Sequence, residues 1–126
     1  FVERLLFNDP ITPMSDNDKE EYLKPYLEKG ESRRPTLTWP RNIPLDGSEP
    51  SETLDEVIKN AEFHSSSDIP KLFINANPGL ILTGEQRDEI RKWSSIKEVE
   101  VKGNHFIQED SSEEITNLLK EFYNSL

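Results

Sequence analysis

The sequence predicts an α/β fold of parallel strands with flanking helices, and three observations predict it. Lys71-Leu-Phe-Ile-Asn-Ala76 is the near-continuous apolar run of a strand covered on both faces. Val99 and Val101 alternate with Glu98, Glu100 and Lys102, the period-two pattern of a short strand with one buried side. A helical pattern follows each of them, and the order strand, helix, strand, helix is the repeat of a parallel sheet with right-handed crossovers.

The elements can be justified in order. Phe1-Val-Glu-Arg-Leu-Leu-Phe7 carries apolar residues at spacings of three to six from the first position, with neither a cap nor an initiator methionine before it. It reads as the interior of a helix. Pro10 and Pro13 then break the chain, because each fixes φ and restricts the residue before it. Ser15 offers an N-cap, and Asp16, Asp18, Glu20 and Glu21 place negative charge where the helix macrodipole favours it. Pro25 should kink or end that helix, and Gly30 should stop what remains. Residues 31–50 hold Pro35, Pro40, Pro44 and Pro50, which predicts a rigid irregular segment rather than a helix or central strand. Trp39 and Ile43 within it are either anchors to a core or pocket lining. Arg33 and Arg34 read as solvated or paired with nearby acids.

Ser51 opens a clearer helix, with Leu54, Val57, Ile58 and Ala61 on one stripe expected to be buried. His64 near its end reads as an exposed helix-end residue. After the first strand, Asn77-Pro-Gly79 turns the chain and Leu80-Ile-Leu82 is apolar where a loop is expected. Those three side chains either plug the core or face a ligand at the carboxyl end of the strand. Thr83 to Gln86 and Ser111 to Glu114 both have the form of a capping box, in which a hydroxyl residue is answered three positions later by a carboxylate or amide. Ile90 and Trp93 pack the first of the helices that follow. The last helix presents Ile115, Leu118, Leu119 and Phe122 on one face. His105 lies between the second strand, broken at Gly103, and this last helix. A histidine there is either a surface residue or one aimed into the crevice where open α/β sheets place their ligands.

Composition excludes several classes of function. The 126 residues have the length of one domain, with 15 Lys and Arg against 25 Asp and Glu for a net charge of −10. Such a chain repels phosphate backbones, and no basic stripe with interleaved aromatics compensates, so nucleic acid is not an expected partner. The absence of cysteine removes disulfides, thiol nucleophiles and cysteine-based metal sites. The two histidines are too far apart to suggest a metal motif, so neither metal nor cofactor is expected. No long apolar run and no signal-peptide pattern is present, and a cytoplasmic protein with no membrane partner is expected. The hydrophobic content is 33%, and only two strands are convincing where a free-standing parallel sheet wants about four or more. With the helix-interior start, this predicts a fragment completed by further chain.

Arg33-Arg-Pro-Thr-Leu-Thr-Trp-Pro-Arg41, Pro70-Lys-Leu-Phe-Ile-Asn-Ala-Asn-Pro-Gly79 and Gly103-Asn-His-Phe-Ile-Gln-Glu-Asp110 together closely resemble the haloalkane dehalogenases of the α/β-hydrolase superfamily, a group that includes the Renilla-type luciferases. The resemblance runs from Phe1 to the end in the right order and spacing. It implies the C-terminal part of an α/β-hydrolase fold, with residues 1–45 the second half of a helical cap and 46–126 the last strands and helices of the core. It further implies hydrolysis of carbon–halogen bonds through an alkyl-enzyme ester, with His105 as the base that activates water. The nucleophile and acid would lie in the N-terminal part of the same protein. None of the five glycines here makes a G-x-nucleophile-x-G elbow. Some relatives carry their acid just after the first of these strands, but Asn75 and Asn77 stand there.

By matching position the resemblance assigns Phe1, Leu5, Trp39, Pro40, Ile43, Leu80, Ile81 and Phe106 to the substrate cavity and its tunnel. An apolar pocket suits a small halogenated substrate that offers little hydrogen bonding, with water as co-substrate and halide as product. Asp9 departs from the pattern, being acidic where relatives often carry an aliphatic residue. The fragment alone is expected to be inactive. A coelenterazine-using luciferase and a non-catalytic binding protein of the same fold are the alternatives.

Overall fold

A computed structural model describes residues 1–43 and 51–126. The chain runs through helical turns ending at Leu6–Asn8, then α1 (Asp16–Leu23), short 3-10 turns at Lys24–Tyr26 and Glu31–Arg33, and α2 (Arg34–Arg41). The chain continues as α3 (Ser51–Ser66), β1 (Lys71–Pro78), α4 (Gly84–Ile90), β2 (Ile96–Gly103), α5 (Ile107–Asp110) and α6 (Ser112–Asn124). The expected boundary between residues 45 and 46 lies outside the described residues, as do Pro44 and Pro50.

β1 and β2 pair in parallel, with Lys71 opposite Ile96 and Pro78 opposite Gly103, so both strands end at the same level. The crossover between them is α4, as the alternating pattern predicts. Ser15 caps α1 by accepting the Asp18 N–H at 3.2 Å, and the helix ends at Leu23, two residues before Pro25.

Four sequence expectations are corrected. Phe1–Phe7 is not a continuous α-helix: Leu5 N–H reaches Phe1 O and Phe7 N–H reaches Val2 O, which winds the segment unevenly before the 3-10 turn. The proline-rich stretch does contain a helix, α2. Pro35 sits in its first turn, where a missing N–H breaks no bond, and Pro40 falls in its last turn. Neither expected capping box forms. Thr83 has an extended backbone at the cap position without a side-chain bond, and the Ser111 hydroxyl instead donates to Lys102 O at 2.7 Å. The stripe on α3 is not buried, with Val57 48% and Ile58 47% exposed. A helix stripe is covered only where another layer lies against it, and a two-stranded sheet is too narrow to cover every helix.

The buried apolar residues among those described are Val2, Leu6 and Met14 in the first segment and Phe73 and Val101 in the strands. Asn75, 1% exposed, is buried with them. Its amide donates to Glu98 Oε1 at 3.0 Å, and Glu98 is held in turn by both Nε and Nη2 of Arg91 at 2.8 Å. His64 is exposed as expected, its ring stacked on Trp93 at 6.3 Å between centroids.

Candidate active site

His105 is placed by the way β2 ends. Gly103 lets the chain turn at once into α5: a Cβ there would stand 3.0–3.3 Å from Ile107, tight enough that Ile107 would have to give by a few tenths of an ångström. The loop of residues 104–106 is then fastened to the first segment of the chain. Asp9 Oδ2 accepts both the His105 N–H at 2.9 Å and the Phe106 N–H at 2.7 Å, while Asn104 Nδ2 donates to Asp9 O at 2.6 Å. Asp110 returns the contact, its two carboxylate oxygens accepting the N–H groups of Ile11 (3.0 Å) and Thr12 (2.8 Å). A third tie runs from the Tyr22 hydroxyl to Glu109. The neighbouring carboxylate disfavours tyrosinate, and the Tyr22 pKa is pushed up to about 12.

The neighbouring loop leaves β1 through a cis Asn77–Pro78 bond and Gly79, at φ 75°. Arg87 braces it: Nη2 donates to Ala76 O at 3.0 Å and to Leu82 O at 3.2 Å. Leu80 and Ile81 consequently stand 63% and 62% exposed, facing outward from the carboxyl end of the strand rather than plugging the core.

These loops and the first segment surround an open cavity of about 820 Å³. Of the eight residues the resemblance assigns to a substrate cavity, Phe1, Leu5, Trp39, Ile43, Leu80, Ile81 and Phe106 line it, and so does His105. Pro40 does not. The Phe1 ring lies edge-on to both Trp39 and Phe106, each at 6.4 Å between centroids, and joins α2 to the histidine loop. Arg4, Asn8, Asp9, Tyr26, Pro35 and Thr36 complete the lining; of these the resemblance singles out Asp9, as an acid near the tunnel mouth where relatives often carry an aliphatic residue. A smaller cavity of about 230 Å³ lies behind the same loops, lined by Asn75, Asn104 and His105 among others, so His105 borders both.

The chemistry available is that of one imidazole on an apolar surface. Imidazole titrates near neutrality and can take a proton from water. Among the described residues no carboxylate pairs with the His105 ring, and no group of three or more His, Cys, Asp or Glu is arranged to hold a metal. No described helix is long and apolar enough to cross a membrane.

What the sequence does not show is how the loops are fastened. Asp9 and His105 are 96 positions apart, and no local pattern links them. Arg87 reads in sequence as one more charge on a helix.

Among curated proteins, a haloalkane dehalogenase of Sphingobium indicum is 47% identical over 115 residues, 91% of this chain and 38% of that protein. The coelenterazine h 2-monooxygenase of Renilla reniformis is 38% identical over 123 residues, 97% of this chain and 39% of that protein. Among solved structures, the haloalkane dehalogenase DatA of Agrobacterium tumefaciens superposes with a TM-score of 0.84 at 29% identity, covering 99% of this chain and 43% of that one. Over nearly its whole length the chain is similar to haloalkane dehalogenases and to the Renilla monooxygenase. It spans about two fifths of the length of these proteins and has the α/β-hydrolase type of fold of its structural neighbours. No family model matches the chain.

Proposed function

We propose that this chain is the carboxyl-terminal part of a haloalkane dehalogenase, with residues 1–45 belonging to its cap and 46–126 to its core. The observation that carries the reading is His105 at the carboxyl end of β2, on the wall of a cavity lined by Phe1, Leu5, Trp39, Ile43, Leu80, Ile81 and Phe106. Such a lining suits a small halogenated alkane, which is held by contact rather than by hydrogen bonds.

An aspartate from the N-terminal part of the protein attacks the halogen-bearing carbon. A carbon–oxygen bond forms as the carbon–halogen bond breaks, and halide leaves with the electron pair. His105 then removes a proton from water as the water oxygen attacks the ester carbonyl; the carbonyl carbon–alkoxide bond breaks, the alkoxide leaves as alcohol with the proton of the added hydroxyl, the carboxylate is restored, and His105 gives its proton to solvent. An acid, also from the N-terminal part, stabilises the imidazolium. No metal or cofactor enters this scheme, and a cysteine-free chain suits the cytoplasm.

The similarity to the Renilla protein favours a second reading, oxidation of a coelenterazine-type substrate on the same scaffold. Supplying the full-length protein with a bromoalkane and following halide and acid release, then with coelenterazine and following light, separates the two. Halide release is expected. Light without halide sinks the dehalogenase reading, and neither product points to a binding protein of this fold.

A further inference from the structure

The carboxylate of Asp9 is an unusual group on an apolar cavity wall, and its bonds all lead to one place. Oδ2 accepts two consecutive backbone N–H groups, those of His105 and Phe106, and the Asp9 carbonyl accepts the side-chain amide of Asn104. Three successive residues of the histidine loop are therefore held by one residue of the first segment. A carboxylate is the side chain suited to two converging N–H donors, because each bond is charge-assisted and both donors belong to backbone that has no other partner in the loop. Among the described residues the imidazole has no such tie, and its aromatic neighbour is Phe106 at 4.8 Å between centroids. The direction of the His105 side chain is consequently set by its backbone.

We propose that Asp9 is a positioning residue for His105: its carboxylate locks the backbone of the histidine loop and so sets where the imidazole points in the cavity. Asp9 also borders the cavity, but the role assigned to it acts through the backbone of His105. This inference rests on the reading of His105 as the base of the ester-hydrolysis step, and it makes a prediction specific to that step. Loosening the loop displaces the base without disturbing a nucleophile held elsewhere, so the second step slows more than the first. A displacement of about 1 Å at a reacting group costs up to about 100-fold in rate.

The test uses the full-length protein as Asp9→Ala, Asp9→Asn and, as reference, His105→Phe, with a bromoalkane followed by rapid-quench intact-protein mass spectrometry. Asp9→Ala is expected to accumulate the ester, with hydrolysis slowed on the order of 10- to 100-fold more than alkylation. Asp9→Asn keeps one acceptor oxygen and is expected to fall between. Unchanged hydrolysis in Asp9→Ala, or equal slowing of both steps, overturns the proposal, since the latter is what a general loss of structure produces. If His105→Phe traps no ester while the unaltered protein turns over, the reading of His105 has failed, and the positioning role falls with it. Amide hydrogen exchange separates that failure from a failure of the contact: protection of the His105 and Phe106 N–H groups should drop in Asp9→Ala, and unchanged protection shows that the lock does not exist.

Discussion

The Asp110 carboxylate accepts the backbone N–H of Thr12 at 2.8 Å, joining the turn after β2 to a segment 98 positions earlier in the chain. With its second oxygen on Ile11 N–H, Asp110 satisfies two donors that Pro10 and Pro13 prevent from entering a helix. Asp110→Ala leaves both without a protein partner. A loss of about 1–2 kcal/mol is expected, toward the lower end for a charged acceptor because the site is partly solvated. Asp110→Asn keeps one acceptor and should lose about half as much. The denaturant midpoint of the full-length protein, read at unchanged m-value, measures both.

Gly79 carries the turn between β1 and the loop of Leu80 and Ile81. Its φ of 75° is unfavourable for an L-residue, and a Cβ would meet Ala76 O at 2.9 Å and Arg87 Nη2 at 2.8 Å. Gly79→Ala is expected to destabilise by about 1–3 kcal/mol and to loosen the bracing contact of Arg87. Gly30→Ala is the comparison: its φ is 96° but nothing lies within 4 Å, so only the conformational cost applies. Equal melting temperatures for the two variants would show that the crowding at Gly79 is relieved without cost.

Tyr22 titrates at about 12 because the Glu109 carboxylate accepts its proton and repels the phenolate. The folded pKa lies above the unfolded value near 10, so the contribution is fully present below about pH 10 and is lost as pH rises toward 12. Tyr22→Phe should remove that part of the alkaline fall in stability. Absorbance titration of tyrosinate in the two proteins gives the difference directly.

Glu98 behaves in the opposite sense. The hydrogen bonds from Arg91 hold its carboxyl below the usual carboxylate range. Its contribution is present above the unfolded pKa, near 4.3, and is lost as pH falls through the lower folded value. Glu98→Gln is expected to flatten the acid limb of stability measured by urea midpoints from pH 7 to pH 3. The effect should shrink at high salt, because the pair is largely exposed.

His105→Phe should leave alkylation intact and stop ester hydrolysis, because only the second step needs a base. A bromoalkane adduct persisting on the intact protein is the expected mass-spectrometric result. Continued turnover without a trapped adduct would remove His105 from the role of base.

The sequence by itself determined the elements whose physics is local. The apolar run of Lys71–Ala76, the alternation of Val99 and Val101, Ser15 before an acidic first turn and the break at Gly103 each express a rule of backbone or burial acting over a few residues, and each has its counterpart in β1, β2, α1 and the strand end. Local patterning misled where a neighbour decides the outcome. Pro35 is compatible with α2 because it falls in the first turn, whereas Pro40 interrupts the ladder only one residue before the helix ends, and the stripe of Val57 and Ile58 is buried only if another layer reaches it.

Tertiary structure alone decided how the histidine loop is held. Asp9 and Asp110 are two acids among many in the sequence, and nothing near either one specifies its partner. Their roles arise because the chain returns after about 100 residues and brings free backbone N–H groups within about 3 Å of a carboxylate, a distance at which charge-assisted bonds form. Sequence could place His105 at the end of a strand. What aims it is a contact that exists only in the folded chain.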